Sequence, residues 1–223
     1  MILEQIHNFL HLLFIGLIAL FPVVNPIGSA LIVNPYLAKL SEKQRKNAVN
    51  KITIYAFFLC IVSLFTGHWI LELFGISIPI IQVAGGILIC KMGWESLSAE
   101  QDENTNKEID EDDALLSTSI SDKLFYPLTF PITTGAGTIS VLFTLSAHSA
   151  DSNWQDYMVN TGAILLAILM MCMLVHFFYN NTNKMIDKLG NNGQEIANRI
   201  FAFLIFCVGL EIATTGIKTL FHI

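Results

Sequence analysis

The chain is 223 residues long, 53% hydrophobic and only 13% charged, with a mean hydropathy of +0.59. Soluble domains carry about 25% charged residues, so a water-soluble globule is excluded. With 12 Lys and Arg against 18 Asp and Glu, a net charge of −6, there is no basic footprint for nucleic acid either.

The composition is that of a small integral membrane protein, and the apolar runs can be taken in order. A helix crosses about 30 Å of hydrocarbon with roughly 20 apolar residues. Six runs qualify: 9–37, 52–73, 76–97, 124–147, 158–179 and 196–221. None alternates with period 2, and all are too long for strands of a membrane barrel. The expected fold class is therefore all-α, a polytopic membrane protein with six transmembrane helices. The first run is longer than one span needs, so it is tilted, bent or broken. Residues 1–10 contain Glu4 and no Lys or Arg, so no signal peptide is expected and the first run reads as a retained span.

Orientation follows from the basic residues of the short loops. Loop 1–2 holds Lys39, Lys43, Arg45, Lys46 and Lys51; loop 3–4 holds Lys107 and Lys123; loop 5–6 holds Lys184, Lys188 and Arg199. Loops 2–3 and 4–5 hold none, which places both termini outside, with Lys218 against the rule. Cys60, Cys90, Cys172 and Cys207 all fall in apolar runs without metal spacing and read as small buried hydrophobes. His7 and His11 share a helical face near the outer surface, where anchoring at the interface outweighs a metal site. No metal and no cofactor is expected.

Two stretches half a chain apart are alike. Phe21-Pro22-Val23-Val24-Asn25-Pro26-Ile27-Gly28 lines up with Phe130-Pro131-Ile132-Thr133-Thr134-Gly135-Ala136-Gly137 at a constant offset of 109. Gly93-Trp94-Glu95 lines up with Gly209-Leu210-Glu211 at an offset of 116. Together they suggest a duplicated three-span unit. An odd number of spans inverts the second copy, so the expected architecture is two inverted-topology three-helix repeats with broken helices 1 and 4, an arrangement found in secondary transporters. The expected divisions are 1–98, a linker 99–123, and 124–223.

Pro22 and Pro26 cannot donate the backbone bonds a helix needs, and each disfavours helix at the residue before it. Span 4 holds Pro131, Gly135 and Gly137 at the same place. Backbone opened at membrane depth must be buried in protein or line a wet cavity. Half-helices beginning near Gly28 and Gly137 would offer free N–H groups that suit a carboxylate. Asn25, Ser29, Thr133, Thr134 and Thr138 supply neutral hydrogen bonds nearby, and exposed carbonyls suit an ammonium group. A zwitterion of amino-acid size fits this inventory; a plain kink is the competing reading, since Pro, Gly and Thr also serve close packing in membrane helices.

Lys91 and Glu95, four apart on one face, can pair with each other, snorkel or serve coupling. Glu211 lies deeper in its span and is the better candidate for a proton or ion relay. Gln82 and Asn198 lie near span ends, and Gly85, Gly86 and Gly93 read as tight helix contacts. Glu100, Asp102, Glu103, Glu108, Asp110, Glu111, Asp112 and Asp113 crowd the stretch 99–113, which reads as a solvated cytoplasmic linker.

These residues carry a resemblance. Asn25-Pro26-Ile27-Gly28, Phe74-Gly75-Ile76-Ser77 leading into Ala84-Gly85-Gly86, Pro131 with Gly135-Ala136-Gly137-Thr138-Ile139, and Arg199 followed by Gly209 resemble the MarC family (UPF0056) of bacterial inner-membrane proteins over nearly the whole chain. The resemblance implies six membrane helices, a location in the bacterial inner membrane and, by analogy with the family's SnatA amino-acid transporter, transport of small neutral amino acids such as glycine and alanine. The second motif departs from the family's usual Gly-Pro-Gly, and the linker is more acidic than the resemblance leads one to expect.

The expected function is thus secondary transport by alternating access. Asn25, Pro26, Gly28, Ser29, Thr133, Thr134, Gly135, Gly137 and Thr138 would hold the solute; Glu211 and, less directly, Glu95 would carry coupling. The expected partners are a small zwitterionic solute, a proton or sodium ion and the lipid bilayer, with self-association left open. No Walker loop is present, and no paired acids, Ser/His or Cys/His set points to an enzyme. The alternative is a structural or accessory inner-membrane protein without a substrate path, whose breaks are apolar and dry.

Overall fold

A computed structural model describes residues 2–98, 123–149 and 153–221; the acidic stretch 99–113 and all of the linker but Lys123 lie outside the described residues. Every described element is helical: α1 (Ile2–Val24), α2 (Pro26–Ala38), α3 (Glu42–Leu73), α4 (Ile78–Ser98), α5 (Leu124–Thr133), α6 (Ala136–Ser149) and α7 (Trp154–Phe221). α7 breaks at Gly190, whose φ of 62° favours a residue without a Cβ. It thus forms two apolar arms, Trp154–Lys188 and Glu195–Phe221.

Five stretches are long and apolar enough to cross a membrane: Gln5–Ala38, Glu42–Leu73, Ile78–Ser98 and the two arms of α7. α5 and α6, bent by 64° across a short break, make a sixth if the pair is one span. These bodies enclose five of the six runs read from hydropathy, the third helix starting at Ile78 rather than at 76, and the first and fourth runs are the two that break. Large apolar side chains such as Phe14, Ile18, Phe58, Trp69 and Phe203 are exposed, as suits a surface solvated by lipid rather than water.

Local sequence sets the ends. Ser41 and Gln44 form a reciprocal capping box at the start of α3, satisfying two orphan N–H donors. At its other end Gly75 takes φ 63°, and the Ile76 N–H returns to the Leu71 carbonyl at 2.9 Å, a left-handed stop that reverses the chain into α4.

One core runs through the bundle. Leu20, Val33, Ile52, Leu128, Leu142, Ile164 and Ile168, all nearly or fully buried, join α1, α2, α3, α5, α6 and the first arm of α7, and Ile89 of α4 and Ile205 of the second arm belong to it as well. α4 also lies on the second arm of α7, backbone against backbone. A methyl group at Gly86 would come within 2.6 Å of the Gly209 carbonyl, and one at Gly93 within 2.9 Å of the Ala202 carbonyl. Between these contacts the Cys90 thiol meets the Phe206 carbonyl at 3.6 Å. Gly85, Gly86 and Gly93 are all buried, so the close-packing role expected of them is the one they have.

Candidate functional site

The first break is one residue wide. Asn25 adopts φ 43°, ψ 65°, and its side-chain oxygen accepts the Gly28 N–H at 3.1 Å. Its carbonyl accepts both the Ser29 N–H and the Ser29 hydroxyl at 2.8 Å. Asn is among the few residues with a Cβ that tolerate this left-handed conformation, and it is also a strong N-cap. The half-helix begins at Pro26, two residues before Gly28, because proline at the first helical position lacks only an N–H that has no intrahelical partner anyway. One expectation is corrected here. The Gly28 N–H is not free for a ligand, because Asn25 takes it; Gly28 matters instead because a methyl group there would overlap the folded-back Asn25 amide.

The second break is wider and of a different kind. α5 is a π-helix, with extended backbone at Tyr126 and Phe130, just before Pro127 and Pro131. The Thr129 and Thr133 hydroxyls donate to carbonyls five residues back, Leu124 and Leu128, each at 2.7 Å. The Thr134 N–H does likewise to Thr129 at 2.8 Å. Pro131 has no N–H to give, and the threonine hydroxyls take up carbonyls the wider coil leaves. Gly135 and Gly137 are both buried; a methyl at Gly135 would crowd the Pro131 carbonyl at 2.9 Å, and one at Gly137 would press on Ile89 at 3.0 Å. α6 starts at Ala136, one residue before the expected Gly137. Among the described residues no side chain caps it, and the fully buried Thr138 hydroxyl has no hydrogen-bond partner.

The two breaks meet through Tyr179, a fully buried residue of α7. Its phenol lies 2.8 Å from the Thr133 hydroxyl, and Ser29, whose own hydroxyl donates to the Asn25 carbonyl, lies close by. Ser29 and Thr133, on different helices and more than a hundred residues apart, therefore lie around one phenol. Beside them Thr133 and Thr134 line a small space of about 10 Å³ with Leu20, Val24, Cys60 and Ile168, room for about one water.

A larger crevice of about 270 Å³ lies between α1, α4, α6 and the second arm of α7, and its polar lining is Gln82, Ser140, Thr144, Glu211 and Thr215. Ile89 belongs to the wall of this crevice and also packs on Gly137, so a single side chain separates the crevice from the start of α6. Glu211 thus lines the larger of these two spaces. Glu95 does not: it faces away, exposed, with Lys91 at 3.6 Å.

Two residues escaped the sequence reading. Tyr179 sits at the end of an apolar run, where an aromatic residue reads as an interface anchor, and no spacing marks it. Arg45 reads as one of five loop charges, yet it is only 8% exposed. A signal for it does exist: Arg45, Ala48, Val49, Ile52 and Ala56 fall on one helical stripe, and all are buried.

A family model described as a MarC family integral membrane protein matches residues 10–221. Similar relatives include a UPF0056 membrane protein of Pyrococcus horikoshii, 27% identical over 99% of this chain and 100% of its own. YvbG, a UPF0056 membrane protein of Bacillus subtilis, is 29% identical over 92% of this chain and 94% of its own. The UPF0056 inner membrane protein MarC of Escherichia coli is 25% identical over 91% of this chain and 92% of its own. No solved structure matches the chain.

Proposed function

The chain belongs to the MarC family of integral membrane proteins, and on that premise we propose that it is a secondary transporter of small neutral amino acids such as glycine and alanine. The observation that carries the reading is one buried phenol between the two helix breaks: Thr133 of the second hydrogen-bonds Tyr179, and Ser29 of the first lies close to the same side chain. Two unrelated kinks have no reason to sit around one buried phenol, whereas a binding site built from two repeats does.

Packing of α4 on the second arm of α7 supports the inverted repeat. At the offset of 116, Cys90 corresponds to Phe206, and these two touch each other. Gly86 contacts Gly209, and the corresponding pair with roles exchanged, Gly93 with Ala202, is also in contact. A residue meeting its own counterpart, flanked by exchanged pairs, is the signature of a two-fold axis. Residues 1–98 and 124–223 are then the two repeats, joined by 99–123, with α5 and α6 forming one broken span and six spans in all. The basic α2–α3 turn is cytoplasmic and both termini are outside, in the inner membrane for which the Escherichia coli relative is named.

On this reading the crevice is the outer approach to the site. The uncapped start of α6 at Gly137 and Thr138 takes the carboxylate, the threonine hydroxyls and Asn25 surround the ammonium end, and Glu211 exchanges the coupling proton or sodium ion. With only about 10 Å³ at the breaks, the solute enters as Ile89 withdraws from Gly137; alternating access does the rest. Counterflow of labelled alanine in proteoliposomes tests the reading. The native protein should accumulate label, and Asn25→Leu with Gly137→Leu should abolish it. Folded native protein that moves neither alanine, glycine nor serine would remove this substrate class and favour the accessory reading.

A further inference from the structure

We propose that Arg45 is the cytoplasmic gate of the path: a guanidinium that ties α2, α3 and α7 together in this conformation and exchanges its neutral acceptors for the carboxylate of a solute on that side. This rests, for the solute, on the transport reading above. Four cations share the α2–α3 turn and the beginning of α3, and Lys39, Lys43 and Lys46 are exposed there as a loop charge should be. Arg45 alone is turned inward, 8% exposed. One terminal nitrogen, Nη2, makes all of its hydrogen bonds: to the Asn34 side-chain oxygen of α2 at 3.2 Å and to the Tyr179 carbonyl of α7 at 3.1 Å. That carbonyl is already shared with the Thr182 hydroxyl at 3.1 Å. The Arg45 Nε is buried with no partner, and among the described residues no carboxylate lies within ion-pairing distance.

A buried cation held only by neutral acceptors is an electrostatically incomplete arrangement, because desolvating the charge is costly and nothing of opposite sign repays it. Nε–H and Nη2–H form one side of the guanidinium fork, the face that grips a carboxylate through two parallel bonds. Here half of that fork is empty and the other half is spread over two weak acceptors. A carboxylate would satisfy both nitrogens at once and release Asn34 and Tyr179, loosening α2 and α7 from α3. Tyr179 makes the location informative: its carbonyl holds Arg45 while its phenol reaches Thr133. One residue therefore spans from the gate to the helix breaks, and Asn34 lies about 14 Å along α2 from Asn25.

The test uses a cysteine-free full-length chain carrying Val33→Cys on α2, in inside-out vesicles, with the rate of labelling by a membrane-impermeant maleimide as the readout. Arg45→Gln should raise the rate several-fold, and Arg45→Lys should fall between it and the native residue. Asn34→Asp supplies the missing counter-charge, so it should lower the rate and raise the Tm. Alanine should raise labelling when Arg45 is present, and alaninamide, which lacks the carboxylate, should not. Unchanged labelling in both Arg45→Gln and Asn34→Asp, in protein that stays monodisperse and keeps a cooperative melt, overturns the gate. Equal effects of alanine and alaninamide overturn the exchange with a carboxylate. The Arg45→Gln and Asn34→Asp arms need no solute, so failed alanine counterflow would count against the substrate reading while these two arms still decide the gate.

Discussion

At Asn25 the backbone turns left-handed and the side chain folds back to cap the helix it starts. Alanine would lose the cap, worth about 1 kcal/mol, and keep a left-handed residue with a Cβ, worth about another 1 kcal/mol. Asn25→Ala should therefore destabilise by about 2 kcal/mol and Asn25→Gly by clearly less, measured as Tm in detergent; the reverse order would mean that the conformation is not the constraint. Tyr179→Phe leaves the Thr133 hydroxyl still donating to Leu128, so its cost should be modest, about 1 kcal/mol. A double-mutant cycle with Thr133→Val should return a coupling of about 0.5–1.5 kcal/mol. A coupling of zero would detach the second break from the phenol around which the proposed site is built. Asn25 and the threonines were legible as polar residues at interrupted apolar runs. Tyr179 and Arg45 were not, because burial is decided by which helix packs opposite, and hydropathy averages over all faces of a helix.

Among the elements, the contact between α4 and the second arm of α7 sets backbone against backbone, so a substitution there cannot be absorbed by one side chain. A methyl at Gly209 would lie 2.5 Å from the Cys90 backbone nitrogen, which cannot move alone, so Gly209→Ala should cost about 1–3 kcal/mol by forcing the helices apart. Gly162 in the first arm of α7 meets only Phe9, at 3.9 Å, so Gly162→Ala should be neutral or stabilising by up to about 1 kcal/mol through helix propensity. Thermal melts of the two variants read this contrast directly. The apolar runs gave the spans because length and hydropathy are local properties. The π-helical form of α5 was not legible, since prolines announce a break without specifying the register in which the carbonyls are recaptured. The glycines of α4 were legible as small residues in an apolar helix, but their partners, Gly209 and Ala202, followed only from the packing.

For the whole molecule, the charge asymmetry of the loops makes a prediction independent of the site. A phosphatase fused after the last helix should be active outside the cell, and one inserted in the α2–α3 turn should be silent; the opposite pattern would invert every statement here about which side the crevice and Arg45 face. Within that frame the central claim is that the two breaks line a solvated path for a zwitterion. The most direct measurement places a single cysteine at Thr134, and separately at Ser29, in a cysteine-free chain and follows reaction with a small water-soluble maleimide with and without alanine. Both positions should react, and alanine and glycine, but not leucine, should slow the reaction. A folded protein in which neither position reacts, or in which alanine and leucine act alike, would contradict it.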